Sequence, residues 1–75
     1  MLMTKITDDT NKNTYIFNKH NIIAVYLENN RFYNIPRSGY KDYQYKVNVV
    51  TIENRVYEFY YKDIYRAENN LNKFL

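Results

Sequence analysis

The sequence predicts an α+β fold: a small antiparallel β-sheet of about five strands, strongly bent or closed part-way into an open barrel, with one C-terminal helix packed on it. Three observations predict it. Between positions 43 and 61, apolar and aromatic residues alternate with polar ones at the period of two that a half-buried strand requires. Shorter runs with the same alternation precede them. At the end of the chain Ile64, Ala67, Leu71, Phe74 and Leu75 recur three to four residues apart, the spacing of one helix face. At 75 residues the chain is a single domain, 1–75, near the smallest size at which one core offsets chain entropy.

The elements follow in order. Residues 2–7 form a first strand with Leu2 and Ile6 on one face, and Asp8–Asn13 is turn material whose Asp and Asn tolerate left-handed backbone. Thr14–Asn18 returns with Tyr15 and Phe17 on one side. After a tight connection, 22–28 carries Ile23, Val25 and Leu27 alternating with Ile22, Ala24 and Tyr26, and its two apolar faces predict a central strand. Asn29–Asp42 is irregular, with Pro36 removing a ladder donor and Gly39 marking a bend.

The clearest unit is a hairpin of strands 43–52 and 56–61. Tyr43, Tyr45, Val47, Val49 and Thr51 share one face with Tyr57, Phe59 and Tyr61, while Gln44, Lys46, Asn48 and Glu58 face away. Placing both apolar rows on one side pairs 51 with 57, 49 with 59 and 47 with 61, across a three-residue loop Glu53-Asn54-Arg55 with Asn54 left-handed. The helix spans 64–75 with Asp63 as N-cap, its stripe docked on the sheet and Arg66, Asn69, Asn70 and Lys73 facing water.

Composition narrows the function classes. There is no Cys, so disulfides, thiolate metal sites and Cys-based catalysis are excluded. A core this small supplies only a few kcal/mol, roughly, without such staples, so homo-oligomer formation is expected to contribute stability. The N-terminal residues lack the apolar core of a signal peptide, and no apolar run approaches the ~20 residues of a membrane helix. The expectation is a cytoplasmic protein of a bacterial cell with no membrane partner. Ten Tyr alongside abundant Asn, Lys and Ile also follows from A/T-rich codons, so the placement of the rings says more than their number.

Placement singles out one stretch, 31–46. Arg31, Arg37, Lys41 and Lys46 stand there against Asp42 alone, which accounts for the whole formal charge of +3. The same stretch holds Phe32, Tyr33, Tyr40, Tyr43 and Tyr45 and the only Gly and Pro. Cations mixed with aromatic faces suit phosphates, bases or an acidic protein surface. Arg31, Phe32, Tyr33, Arg37, Tyr40 and Lys41 are therefore the candidate partner-binding residues. The plainer account makes Tyr43 and Tyr45 core-facing strand residues and the cations solvated. Tyr60 joins the candidates from a second place: in Tyr57-Glu-Phe-Tyr-Tyr61 it lies opposite Phe59, on a strand whose edge could accept a partner strand.

An enzyme is not expected. His20, the only imidazole, sits in a turn and is a surface residue rather than a general base. Asp8 and Asp9 are adjacent, so their side chains diverge and share no proton. No Gly-rich phosphate loop, nucleophile motif or metal-ligand spacing is present, and no cofactor or metal is expected.

Two resemblances add to this. Phe17-Asn18 followed by Ile22-Ile23, then a hairpin closing into a short C-terminal helix, resembles the small flagellar FlbD-type proteins. It departs from them in a hairpin loop without Gly and in the inserted residues 29–42. That resemblance implies a self-assembling structural subunit. In size, composition and missing catalytic residues the chain is also similar to small anti-defence inhibitors of the anti-CRISPR type, carried by phages of low-GC bacteria. That likeness implies steric occlusion of a host protein in a nucleic-acid-processing or defence complex. The expected function is accordingly non-catalytic binding of a host protein. Single-stranded nucleic-acid or nucleotide binding by the same stretch is the second reading.

Overall fold

The structure is a computed structural model and describes residues 3–29 and 43–75. In these, strands β1 (Met3–Thr7), β2 (Thr14–Asn18), β3 (Ile22–Asn29), β4 (Tyr45–Thr51) and β5 (Val56–Tyr61) precede one helix, α1 (Ile64–Asn72). A 3-10 turn, Lys19–Asn21, joins β2 to β3. The α+β composition is as the sequence predicts. The strands divide into two antiparallel sheets, a β1–β2 pair and a three-stranded sheet ordered β3-β4-β5.

The core lies between them. Val47 and Val49 of β4, Phe59 and Tyr61 of β5, Ile6 of β1 and Ala67 of α1 are buried, with Phe17, Val25, Leu27, Leu71 and Phe74 packed around them. Phe17 binds the two sheets and the helix together through ring contacts. It meets Phe74 at 5.9 Å between centroids with the rings tilted, and Tyr57 at 5.3 Å and Phe59 at 6.0 Å edge-on. Such geometry sets the positive edge of one ring against the negative face of the next.

The hairpin keeps the predicted faces but not the predicted register. Val47 lies opposite Phe59 and Val49 opposite Tyr57, two residues from the expected pairing. The turn explains it. In the common three-residue loop the left-handed residue is the third. A loop of Glu53-Asn54-Arg55 would force that conformation on Arg55. The chain instead closes Ile52-Glu53-Asn54, with Thr51 N–H donating to Arg55 and Asn54 at φ 63°. A two-residue slip leaves every side chain on its original face, so burial alone could not have distinguished the two registers.

The central strand is β4, not the 22–28 segment. β3 forms one edge of its sheet, and a bulge between Ile22 and Ala24 breaks its alternation. The bulge turns Ile22 toward the core beside Val25 and Leu27 and leaves Ile23 58 % exposed. Two apolar faces here reflect uncovered surface rather than central burial.

Smaller departures have local causes. The left-handed residue of the first turn is Lys12, at φ 62°, not an Asp or Asn. A four-residue loop closed by Asp8 N–H to Asn13 and Lys12 N–H to Asp8 demands that conformation at its last position. The strand expected from 43 begins at Tyr45, and α1 ends at Asn72, where Phe74 and Leu75 continue in tighter three-residue turns. Leu75 is exposed, and Leu2 lies outside the described residues. Asn70, expected to face water, is buried. Its amide donates to Arg66 carbonyl at 2.8 Å, and its Oδ1 accepts from Thr7 N–H at 3.5 Å, which ties β1 to the helix.

Candidate functional site

The segment singled out by charge leaves β3 at Asn29 and the described chain resumes at Tyr43, so Arg31, Phe32, Tyr33, Arg37, Tyr40 and Lys41 lie outside the described residues. Its two flanks are held together. Asn29 pairs with Tyr45 across the ladder, and its Oδ1 accepts from the Gln44 amide at 3.4 Å. Tyr43 donates its hydroxyl to Asp9 carbonyl at 3.4 Å, and Lys62 sits 5.1 Å over its ring. Tyr45 faces the core, as its strand position predicts.

Beside these flanks, the outer face of the three-stranded sheet carries a polar cluster. The register places Glu28, Lys46 and Tyr60 in one cross-strand row and Tyr26, Asn48 and Glu58 in the next. Lys46 Nζ lies 3.2 Å from Glu58 Oε2 and 3.6 Å from Glu28 Oε1, and 5.8 Å from the Tyr60 ring centroid. The Tyr60 hydroxyl donates to Glu58 at 2.9 Å, and the Asn48 amide donates to Glu28 at 2.7 Å. Lys46, which the sequence counts among the surplus cations, is therefore paired with two carboxylates. Asn48 is buried although its alternation points it away from the core. The spacing of Glu28, Lys46 and Glu58 on three strands becomes legible only once the register is known.

The rest of that face is apolar, with Val50 half-buried between exposed residues. Ala24, Val50 and Val56 form the next row toward the hairpin turn. Val56 is 52 % exposed and Ile52, just beyond β4, 56 %. Sequence reasoning passed over this row because it ranked charge above apolar exposure. The isolated positions 50, 52 and 56 at even spacing were the available signal.

At Tyr60 the edge of β5 is closed. Asp8 Oδ1 accepts from Tyr60 N–H at 3.2 Å, and Asp9 N–H donates to Tyr60 carbonyl at 3.3 Å. The open backbone expected there is occupied by the β1–β2 turn. Asp8 also accepts from Thr10 N–H at 3.1 Å. The Asp9 carboxylate grips Arg66 through two bonds, of 2.8 and 2.6 Å. That pairing raises Arg66 above its ordinary value, first through the hydrogen bond and then through the charge of Asp9. The two Asp side chains thus diverge, as adjacent residues must.

On the opposite side, a groove of about 250 Å³ opens between β2 and the hairpin turn, lined by Tyr15, Phe17, Asn21, Thr51, Glu53 and Tyr57 among others. The Thr51 hydroxyl is buried there and has no hydrogen-bond partner among the described residues. His20 is exposed, with its backbone amide donating to Asn18. Among the described residues no three His, Cys, Asp or Glu side chains gather to hold a metal, and no helix is long and apolar enough to cross a membrane. Comparison with protein-family models, with curated proteins and with solved structures finds no match to this chain.

Proposed function

We propose that this chain is a non-catalytic binding protein that occludes a host protein, in the manner of small phage or mobile-element inhibitors. One observation carries the reading: the outer sheet face leaves Ile52 and Val56 more than half exposed beside Val50 and Ala24. In a domain with so few buried apolar residues, surface of this kind is costly unless a partner covers it. The polar cluster around Lys46 borders it as a rim, the arrangement typical of protein interfaces. The basic aromatic residues Arg31, Phe32, Tyr33, Arg37, Tyr40 and Lys41 would add the cationic and ring contacts that dominate interface energetics.

The test is capture from a bacterial host lysate followed by identification of what is retained. A protein held by the wild type but lost from both the Arg37→Glu/Lys41→Glu and Val56→Lys variants, each with an unchanged circular dichroism spectrum, is the expected result. Retention by both variants would show that neither surface binds. Salt-sensitive binding of a labelled single-stranded oligonucleotide, with no protein captured, would transfer the function to nucleic acid.

A further inference from the structure

Among the described residues, no second strand pairs with the outer edge of β3, the longest described strand. Thr51 N–H donates to Arg55, so the odd residues of β4 direct their backbone toward β5 and the even ones toward β3. The β3 partners of those even residues are Ala24, Tyr26 and Glu28. The backbone groups of Val25, Leu27 and Asn29 therefore point away from the sheet, whereas the bulge takes Ile23 out of this alternation. Val25 and Leu27 make no backbone bond to a described turn or loop residue, and β3 has no second neighbour among the described strands. Its eight residues span about 27 Å. Natural edges of this length carry Lys, Pro or inward charges to prevent pairing. β3 carries no Lys, Pro or inward charge; its bulge lies at one end, between Ile22 and Ala24, and Glu28 near the other.

We propose that a second copy of this chain pairs antiparallel along β3, across a two-fold axis at Tyr26, making one six-stranded sheet. The strand is complementary to itself in three respects. Val25 and Leu27, whose backbone groups point outward, are symmetric about 26, so an antiparallel mate centred there sets the free donors and acceptors of each opposite those of the other. Its only charged side chain, Glu28, falls opposite Ala24 of the mate, so no like charges face each other. On the inner face Val25 meets Leu27 of the mate, which continues each core into the other. The 46 %-exposed Tyr26 rings oppose each other on the outer face, in the closer, non-hydrogen-bonded type of pair. The groove of about 240 Å³ between the start of β3 and Phe74–Leu75, lined by Ile22, Ile23 and Val25, borders the same edge and extends its apolar character. The closed Tyr60 position rules out an equally regular pairing along β5.

This pairing is independent of any host partner, and the absence of Cys makes it directly testable. Sedimentation equilibrium of the wild type is expected to give twice the 9.3 kDa chain mass, with concentration-dependent dissociation. A Tyr26→Cys variant is expected to form a disulfide-linked dimer under mild oxidation, because its Cβ atoms would lie ~4.5–5.5 Å apart. A control Glu68→Cys variant on the exposed helix face should not. Tyr26→Lys, which sets two cations opposite each other, should shift the protein to monomer, and Ile23→Lys provides the same readout should the first variant fold poorly. A monomer at all concentrations overturns the proposal. So does a dimer that survives both lysine variants and fails to cross-link through position 26.

Discussion

Asp8 closes the outer edge of β5 by accepting the Tyr60 amide at 3.2 Å, from the turn that connects the other sheet. One buried carboxylate thereby fixes the β1–β2 pair against the three-stranded sheet, and its neighbour Asp9 adds the backbone bond to Tyr60 and the grip on Arg66. The two acidic residues carry different loads. Replacing Asp8 with Ala leaves the part-buried amides of Thr10 and Tyr60 without their acceptor, at a cost of about 1–3 kcal/mol. Arg66→Ala removes an ion pair whose cation is half exposed, for about 0.2–1 kcal/mol. Urea unfolding of the two variants should give that order. Equal losses would mean that Asp8 does not hold the sheets together.

Tyr61 is the second tie between the sheets. Its hydroxyl donates to Thr7 carbonyl at 2.6 Å while the ring is fully buried. Burial first, then the charges of Asp8 and Asp9, push its phenol above the ordinary value of about 10. The unfolded chain releases this proton at lower pH than the folded one. The stabilisation is thus complete below pH ~10 and is lost as pH rises beyond it. Tyr61→Phe should lose about 0.5–1.5 kcal/mol at neutral pH. It should also show a shallower decline in thermal stability above pH 10 than the wild type. An identical alkaline decline in both proteins would refute the assignment.

How much of this was legible in the sequence depended on what each signal encodes. Alternation encodes faces, and the faces of β4 and β5 were read correctly from Val47, Val49, Phe59 and Glu58. It does not encode register, because a two-residue slip preserves every face. The turn settled that through the left-handed need of its third residue, a cue present in Asn54 but placed one position early. β3 was misplaced because the bulge at Ile22 and Ile23 leaves no compositional trace. The joining role of Asp8, Asp9 and Asn70 was invisible, since contacts of residues more than fifty positions apart have no local signature. Of the candidate contacts, charge placement identified a segment, whereas the uncovered Val56 row emerged only when three strands were aligned.

The left-handed positions give a third prediction. Lys12 and Asn54 both hold positive φ, where a Cβ crowds the backbone and glycine does not. Lys12→Gly should raise stability by about 0.5–1 kcal/mol, less whatever the unfolded chain gains in freedom. Asn54→Gly should change little, since Asn already tolerates the conformation. Asn54→Ala should lose stability. Melting temperatures of the three variants, ranked in that order, check the turn geometry directly.

Phe17 should be the most sensitive residue of the β1–β2 pair. Its ring touches Tyr57, Phe59 and Phe74, so Phe17→Ala removes contacts to β5 and to the helix end together. Truncating a large aromatic in a core costs about 3 kcal/mol or more. A domain this small has little more than that in reserve. Circular dichroism should show Phe17→Ala largely unfolded at 37 °C, whereas Phe17→Leu should remain folded. A cooperative, near-wild-type transition for the Ala variant would show that the hairpin contributes little to the core.

Thr51 tests the opposite sign. Its hydroxyl is buried against the groove between β2 and the hairpin turn and makes no hydrogen bond among the described residues, so folding removes it from water without replacement. An unsatisfied group of this kind costs about 1–3 kcal/mol. Val has the same branched shape and a strong preference for strands, and its backbone would still donate to Arg55 as Thr51 does. Thr51→Val should therefore raise the urea midpoint, by an amount corresponding to about 1 kcal/mol, with no change in slope. A lowered midpoint would mean that the hydroxyl is satisfied in solution, and that the groove is a wet, polar site rather than a seam in the core.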